Sequence, residues 1–258
     1  MLDEADTILA ESKTLVAMIR RLDLRRVSLR LHLNAGHTDA AAQLMKEAWS
    51  LYASIKDGHE LAGDQWESVS LTESDLHRFE GELLIRRGKD SDSIHSFNAA
   101  LRSLDRVRND GSRIEALRMR ANVHARLSSL FGAKGELEVA AAQAIQAANA
   151  ASMVRNQIGS MFTMIAEPII ALGSSASAVE FCEYALLRDP RASSYIAAYA
   201  GRSPLQALDL LRIAITLAKL VRKARHGNSS ILLRAISGVA QATLITLSKR
   251  RSVISTKQ

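Results

Sequence analysis

The stretch LHRFEGELLIRRGKDSDSIHSFNAALRSLD, residues 76–105, decides how the chain is read. Gly81 and Leu84 keep a helical period, Gly88 interrupts it, and Ser93, Phe97, Ala100 and Leu101 resume it. Glycine marks a turn between the two helices, and small residues at helical spacing let the second pack on the first. The stretch is therefore expected to be a helix, a reversal at Gly88, and a second helix lying back on the first.

The same spacing recurs along the chain. Leu29, Gly36, Ala41, Met45 and Ala48 form one copy, and Gly81, Gly88, Ser93, Phe97 and Ala100 the next. Ser128, Gly135, Ala140, Ala144 and Ala147 follow, then Ala166, Gly173, Ala178, Cys182 and Ala185. Four helix pairs are expected: 22–34 with 38–56, 75–87 with 90–106, 113–132 with 136–156, and 159–172 with 175–187. Thr38 or Asp39 is placed to cap the second helix, and Asp189-Pro190 closes the fourth pair, because proline cannot continue a helix. Residues 2–20 read as a separate amphipathic helix, with Arg20 and Arg21 at its end. Residues 57–74 read as a connector rich in turn chemistry, and Asn109-Asp110-Gly111 as a breaker. A weaker pair is expected over 192–200 and 205–225, and a last helix over 230–248.

Composition agrees with helix. Aromatic residues make up 4% of 258 residues and prolines number three, against an apolar content of 47% that can fill a continuous core. Cys182 is the single cysteine, which excludes an internal disulfide and points to a reducing, cytoplasmic setting. Met1-Leu2-Asp3-Glu4-Ala5-Asp6 has no basic region followed by an apolar one, so no secretory signal is read there. The net charge of +7 is uneven: residues 201–258 carry eleven Lys and Arg against one acid. Such a basic region is consistent with nucleic acid, an acidic protein or anionic lipid.

Over 76–105, and next over 166–190, where Ala166, Ile169, Gly173, Ala178, Ala185, Leu186 and Asp189-Pro190 fit, the chain resembles the tetratricopeptide-repeat family. Its glycine-to-glycine distances of 52, 47 and 38 residues are longer than that family's usual period of about 34. The resemblance implies an all-α fold of antiparallel helix pairs stacked as a right-handed solenoid. An N-terminal helix over 1–21, repeats over 22–225 and a C-terminal capping helix with a basic tail over 226–258 would compose it. It also implies that the first helix of each pair lines an inner wall that grips a peptide or a partner helix.

On that wall the family's places for a carboxylate clamp are taken by Arg26 and Arg30 in the first pair and by Arg78, Glu82 and Arg86 in the second. The clamp's asparagines are missing there, so tail recognition is not carried over. What remains is an arginine-rich, mixed-charge wall suited to an acidic peptide. The competing reading of these rows is a solvated helix face with internal Arg–Glu pairing.

Catalysis finds little in the chain. The histidines at 32, 37, 59, 77, 95, 124 and 226 form no HExxH pattern. Gly132-Ala133-Lys134-Gly135 lacks the Lys-Ser or Lys-Thr ending of a phosphate loop. Of the acid pairs Glu80/Glu82, Glu136/Glu138 and Glu180/Glu183, only the last shares a helix face. No catalytic residue, metal site or cofactor is expected. The function read from the sequence is a non-enzymatic interaction scaffold for a protein or peptide partner. The alternative is a basic helical nucleic-acid-binding or assembly protein using residues 201–258. A membrane role is disfavoured because the apolar run from Ile231 to Leu247 is short and holds Arg234.

Overall fold

The computed structural model describes residues 14–59, 64–108, 110–154, 166–169, 171–173 and 175–188, with Thr7, Leu9 and Ile213. Among these residues every regular element is a helix and there is no strand. In chain order they are α1 (Leu15–Asn34), α2 (Thr38–Gly58), α3 (Asp64–Arg86), α4 (Asp90–Leu104), α5 (Asp110–Ala133), α6 (Leu137–Ser152) and α7 (Ala176–Arg188). Residues 166–169 and 171–172 are helical as well. The expected pair over 192–225, the capping helix and tail over 226–258, and most of the segment before Thr14 lie outside the described residues.

The helix reversals follow one chemical scheme. Gly36, Gly88, Gly135 and Gly173 have φ of 77°, 68°, 79° and 59°, the left-handed region where a Cβ is costly. At Gly36 the amide donates to the Leu33 carbonyl at 3.0 Å, and the His37 amide donates to His32 at 2.9 Å. Gly88 with Lys89, and Gly135 with Glu136, repeat the same two bonds onto Ile85 and Leu84 and onto Gly132 and Phe131. Carbonyls that would be orphaned at the end of the first helix are thereby satisfied, and the next helix starts at once.

The chain divides into two compact units, residues 1–123 and 124–258, with the division inside α5. In the first, α1 packs on α2, α3 touches both, and α3 packs along α4. Leu22, Leu29 and Leu33 of α1 meet Ala41, Met45, Ala48, Tyr52 and Ile55 of α2 and Val69, Leu76, Phe79 and Leu83 of α3 in one core. Burying each large side chain here stabilises the fold by about 1.5–3 kcal/mol. A second cluster joins Leu104 to Ala116 and Met119 of α5.

In the second unit α6 packs on α7 through small residues. The α6 residues Ala140, Ala144, Ala147 and Ala148 are buried. Ser128 of α5, also buried, donates its hydroxyl to the Ala140 carbonyl at 2.8 Å, tying α5 to α6. A Cβ added at Gly132 would lie 2.7 Å from the Ala171 Cβ, so α5 touches the helical residues 171–172 there.

Four local expectations are corrected. One helix crosses the expected break at 21/22, since Thr14, accepting from the Ala17 amide, caps a run that ends at Asn34. Arg20 and Arg21 therefore sit inside a helix and not at its end. Residues 64–74 belong to α3 and not to a connector: their polar side chains obscure the period, but they are helical and largely buried from Val69 onward. The N-cap of α2 is His37, because the glycine turn leads straight into Thr38 as the first helical residue. Asp110 and Gly111 lie within α5 at its start, and among the described residues the break falls over 105–108.

Gly81 tests the packing. A Cβ there would come within 2.9 Å of the buried Phe97 ring, which has little room to retreat. Gly81→Leu should cost at least about 1–3 kcal/mol by overpacking. Thermal unfolding followed by circular dichroism should also show that Phe97→Leu is better tolerated in a Gly81→Ala background than alone.

Candidate functional site

Helix α3 carries the site because its middle is both buried and polar. Ser70, Thr72, Glu73, Ser74, Asp75 and Arg78 are all withdrawn from water, as are Leu76, Phe79 and Leu83 of the same helix. A buried polar group is costly unless it finds a partner, and most of these do. The Thr72 hydroxyl bonds back to the Ser68 carbonyl at 2.9 Å, and the Glu73 carboxylate accepts from Arg106 at 2.9 Å. The Ser74 hydroxyl is buried without a hydrogen bond.

Asp75 is the centre. Its Oδ1 accepts from Arg78 Nε at 3.0 Å and Nη2 at 2.7 Å, and its Oδ2 accepts from Arg26 Nε at 3.1 Å and from Arg26 Nη2. Arg78 also donates to Glu82 at 2.7 Å, and Arg26 to Asp23 at 3.0 Å. Burial by itself would raise the Asp75 carboxyl; the Arg78 and Arg26 guanidiniums outweigh it and hold the group below its ordinary value. Burial would likewise discharge Arg78, yet Asp75 and Glu82 keep it more firmly protonated than a free arginine. The network joins α1 to α3 across 49 residues of sequence.

The expected wall residues therefore separate into two groups. Arg26, Arg78 and Glu82 are brought together, but in a structural network in which both arginines hold Asp75 and Glu82 holds Arg78, itself almost wholly buried. Arg30 and Arg86 are exposed. Arg30 places its guanidinium carbon 5.9 Å from the Phe79 ring centre, and Arg78 lies over the same ring at 4.1 Å. Asp75 was missed as a site residue although its spacing to Arg78, and that of Arg78 to Glu82, follows the i,i+3 and i,i+4 rule for helical ion pairs.

A second polar group links α2, α3 and α4. The Trp49 ring lies 4.7 Å from His77 and meets Tyr52 edge-on at 5.5 Å. His77 Nδ1 stands 3.4 Å from Glu80, which also accepts from Ser96 at 3.1 Å. The His77 hydrogen bond lowers the Glu80 carboxyl, against the opposing effect of burial. Burial and the neighbouring Glu73 carboxylate push the Tyr52 phenol well above its ordinary range. In the second unit burial, with a smaller push from Glu183, raises the Cys182 thiol to about 12, which removes its nucleophilic form at neutral pH.

Among the described residues no group of three or more His, Cys, Asp or Glu is arranged to hold a metal ion. No helix of the described residues is long and apolar enough to cross a membrane. No protein-family model matches the chain, and neither a curated protein nor a solved structure does.

The Asp75 network makes acid stability diagnostic. Its lowered folded pKa contributes stability that is present above the unfolded value near 3.9 and is lost as pH falls through the folded value. Asp75→Asn leaves the buried Arg78 with Glu82 as its remaining acid and removes the charge that holds Arg26 to α3, at a cost of up to about 3–5 kcal/mol. Urea titrations at neutral pH and at about pH 3 should show that this gap narrows on acidification, since protonating Asp75 in the parent removes the same charge.

Proposed function

We propose that this chain is a non-enzymatic adaptor built from tetratricopeptide-like helix pairs, which holds an acidic peptide or helix of another protein. The observation that carries this reading is the recurrence of one hairpin chemistry at Gly36, Gly88 and Gly135, with the same left-handed glycine at Gly173. Such pairs commonly stack as interaction surfaces. The side-by-side contact of α1 and α3, the first helices of two successive pairs, supports a shared wall. On that wall Arg30 and Arg86 supply the charge for a partner, while Arg26, Arg78 and Glu82 hold the helices that present it.

Catalysis has no support in the arrangement of the α3 polar groups, which are largely engaged with one another, or in the buried thiol of Cys182. The lone cysteine fits a reducing, cytoplasmic setting. A second reading, nucleic-acid binding through residues 201–258, is favoured only by the eleven basic residues of that region.

Reversing both exposed charges, Arg30→Glu with Arg86→Glu, should abolish capture of the partner in a pull-down read by mass spectrometry. Stability should change by no more than about 0–1 kcal/mol per site, as for exposed charges generally. Loss of capture only on removing residues 226–258, together with salt-sensitive RNA or DNA binding, would move the function to the basic tail.

A further inference from the structure

Helix α1 leaves an apolar row in water. Val16, Val27 and Leu31 are exposed to 67%, 49% and 54%, although Leu22, Leu29 and Leu33 on the opposite side are buried. At 100° per residue the three exposed side chains fall within about 60° of one another, and at 1.5 Å per residue they run for about 22 Å. Arg20, exposed as well, lies within the same arc, and the exposed Arg30 borders it. The helix as a whole carries five arginines against one acid, Asp23, which Arg26 engages.

We infer that this face of α1 is the seat of an acidic amphipathic helix from a partner protein, a conclusion that rests on the adaptor reading above and names its ligand. Val27 and Leu31 stand one turn apart, and Val16 lies three turns before Val27 on the same stripe with Arg20 between them, so the face offers apolar seats to a partner helix of about four turns. The flanking guanidiniums then select carboxylates on that helix's borders, because opposite charges across an apolar contact fix both partner and register. A second copy of this chain meeting α1 face to face would oppose arginine to arginine, which makes self-association through this surface unfavourable.

The test is fluorescence anisotropy of the full chain with a labelled peptide helix of about 18 residues, bearing leucines at the anchor spacing and glutamates at the borders. A second peptide has lysines in place of the glutamates. The glutamate peptide should bind, weaken with salt, and lose about tenfold or more in affinity to Val27→Ser with Leu31→Ser and also to Arg30→Glu. The lysine peptide should not bind. Equal binding of the two peptides, no binding of the glutamate peptide, or full retention by the serine variant overturns the inference. If the serine variant still captures its partner in the pull-down while Arg30→Glu with Arg86→Glu does not, the adaptor reading stands and the α1 seat is wrong.

Discussion

Everything in this fold hangs on the helix reversal at a left-handed glycine. Two amide bonds close each turn at Gly36, Gly88 and Gly135, and only a residue without a Cβ takes that backbone angle cheaply. With the turn fixed, the register of the two helices is fixed as well. The residue seven before the glycine must then sit against the residues five to twelve after it. That geometry explains why one face of each pair can hold so few kinds of side chain. Gly81 accepts the Phe97 ring, and Ser128 uses its hydroxyl as a tie to the facing backbone. Leu29 is accommodated opposite a row that includes Ala41 and Ala48.

Apolar packing makes the pairs, and ion pairing orders the first two against each other. The α1–α3 contact includes Arg26 with Asp75, and Arg106 reaches Glu73 from beyond the end of α4. A buried ion pair is a weak source of net stability, because removing both charges from water costs about as much as their attraction returns. Its effect lies in selectivity: a shifted register of α3 against α1 would part Arg26 from Asp75 and leave the buried Oδ2 of that carboxylate unmatched. The interior of α3 is polar for that reason, and it accepts the loss of an apolar stripe to specify one arrangement.

The hairpins were legible in the sequence because their signal is local. A glycine at constant offset from small residues survives any change in the rest of the helix, so all four reversals and the burial of their facing residues could be read directly. The start of α3 was not legible. Ser70, Thr72, Glu73, Ser74 and Asp75 mimic a loop, and partners distant in sequence, Arg26 on Asp75 and Arg106 on Glu73, help to make that composition tolerable inside. The candidate wall was half legible for the same cause. Charge rows at a four-residue spacing identify a helix face, but they do not tell a surface arginine such as Arg30 from one committed to a buried acid such as Arg78.

The shortness of the reversals bears on how the first unit comes apart and together. A three-residue turn costs little chain entropy to close, so each hairpin can form without waiting for distant segments, and such local topologies fold quickly. The Arg26–Asp75 link spans 49 residues, so closing it costs more chain entropy than closing either turn. Cooperativity between the hairpins then resides in a few charged atoms as well as in the apolar core. Weakening them would produce independent opening of one pair, seen as amide exchange of α1 and α2 released from that of α3 and α4.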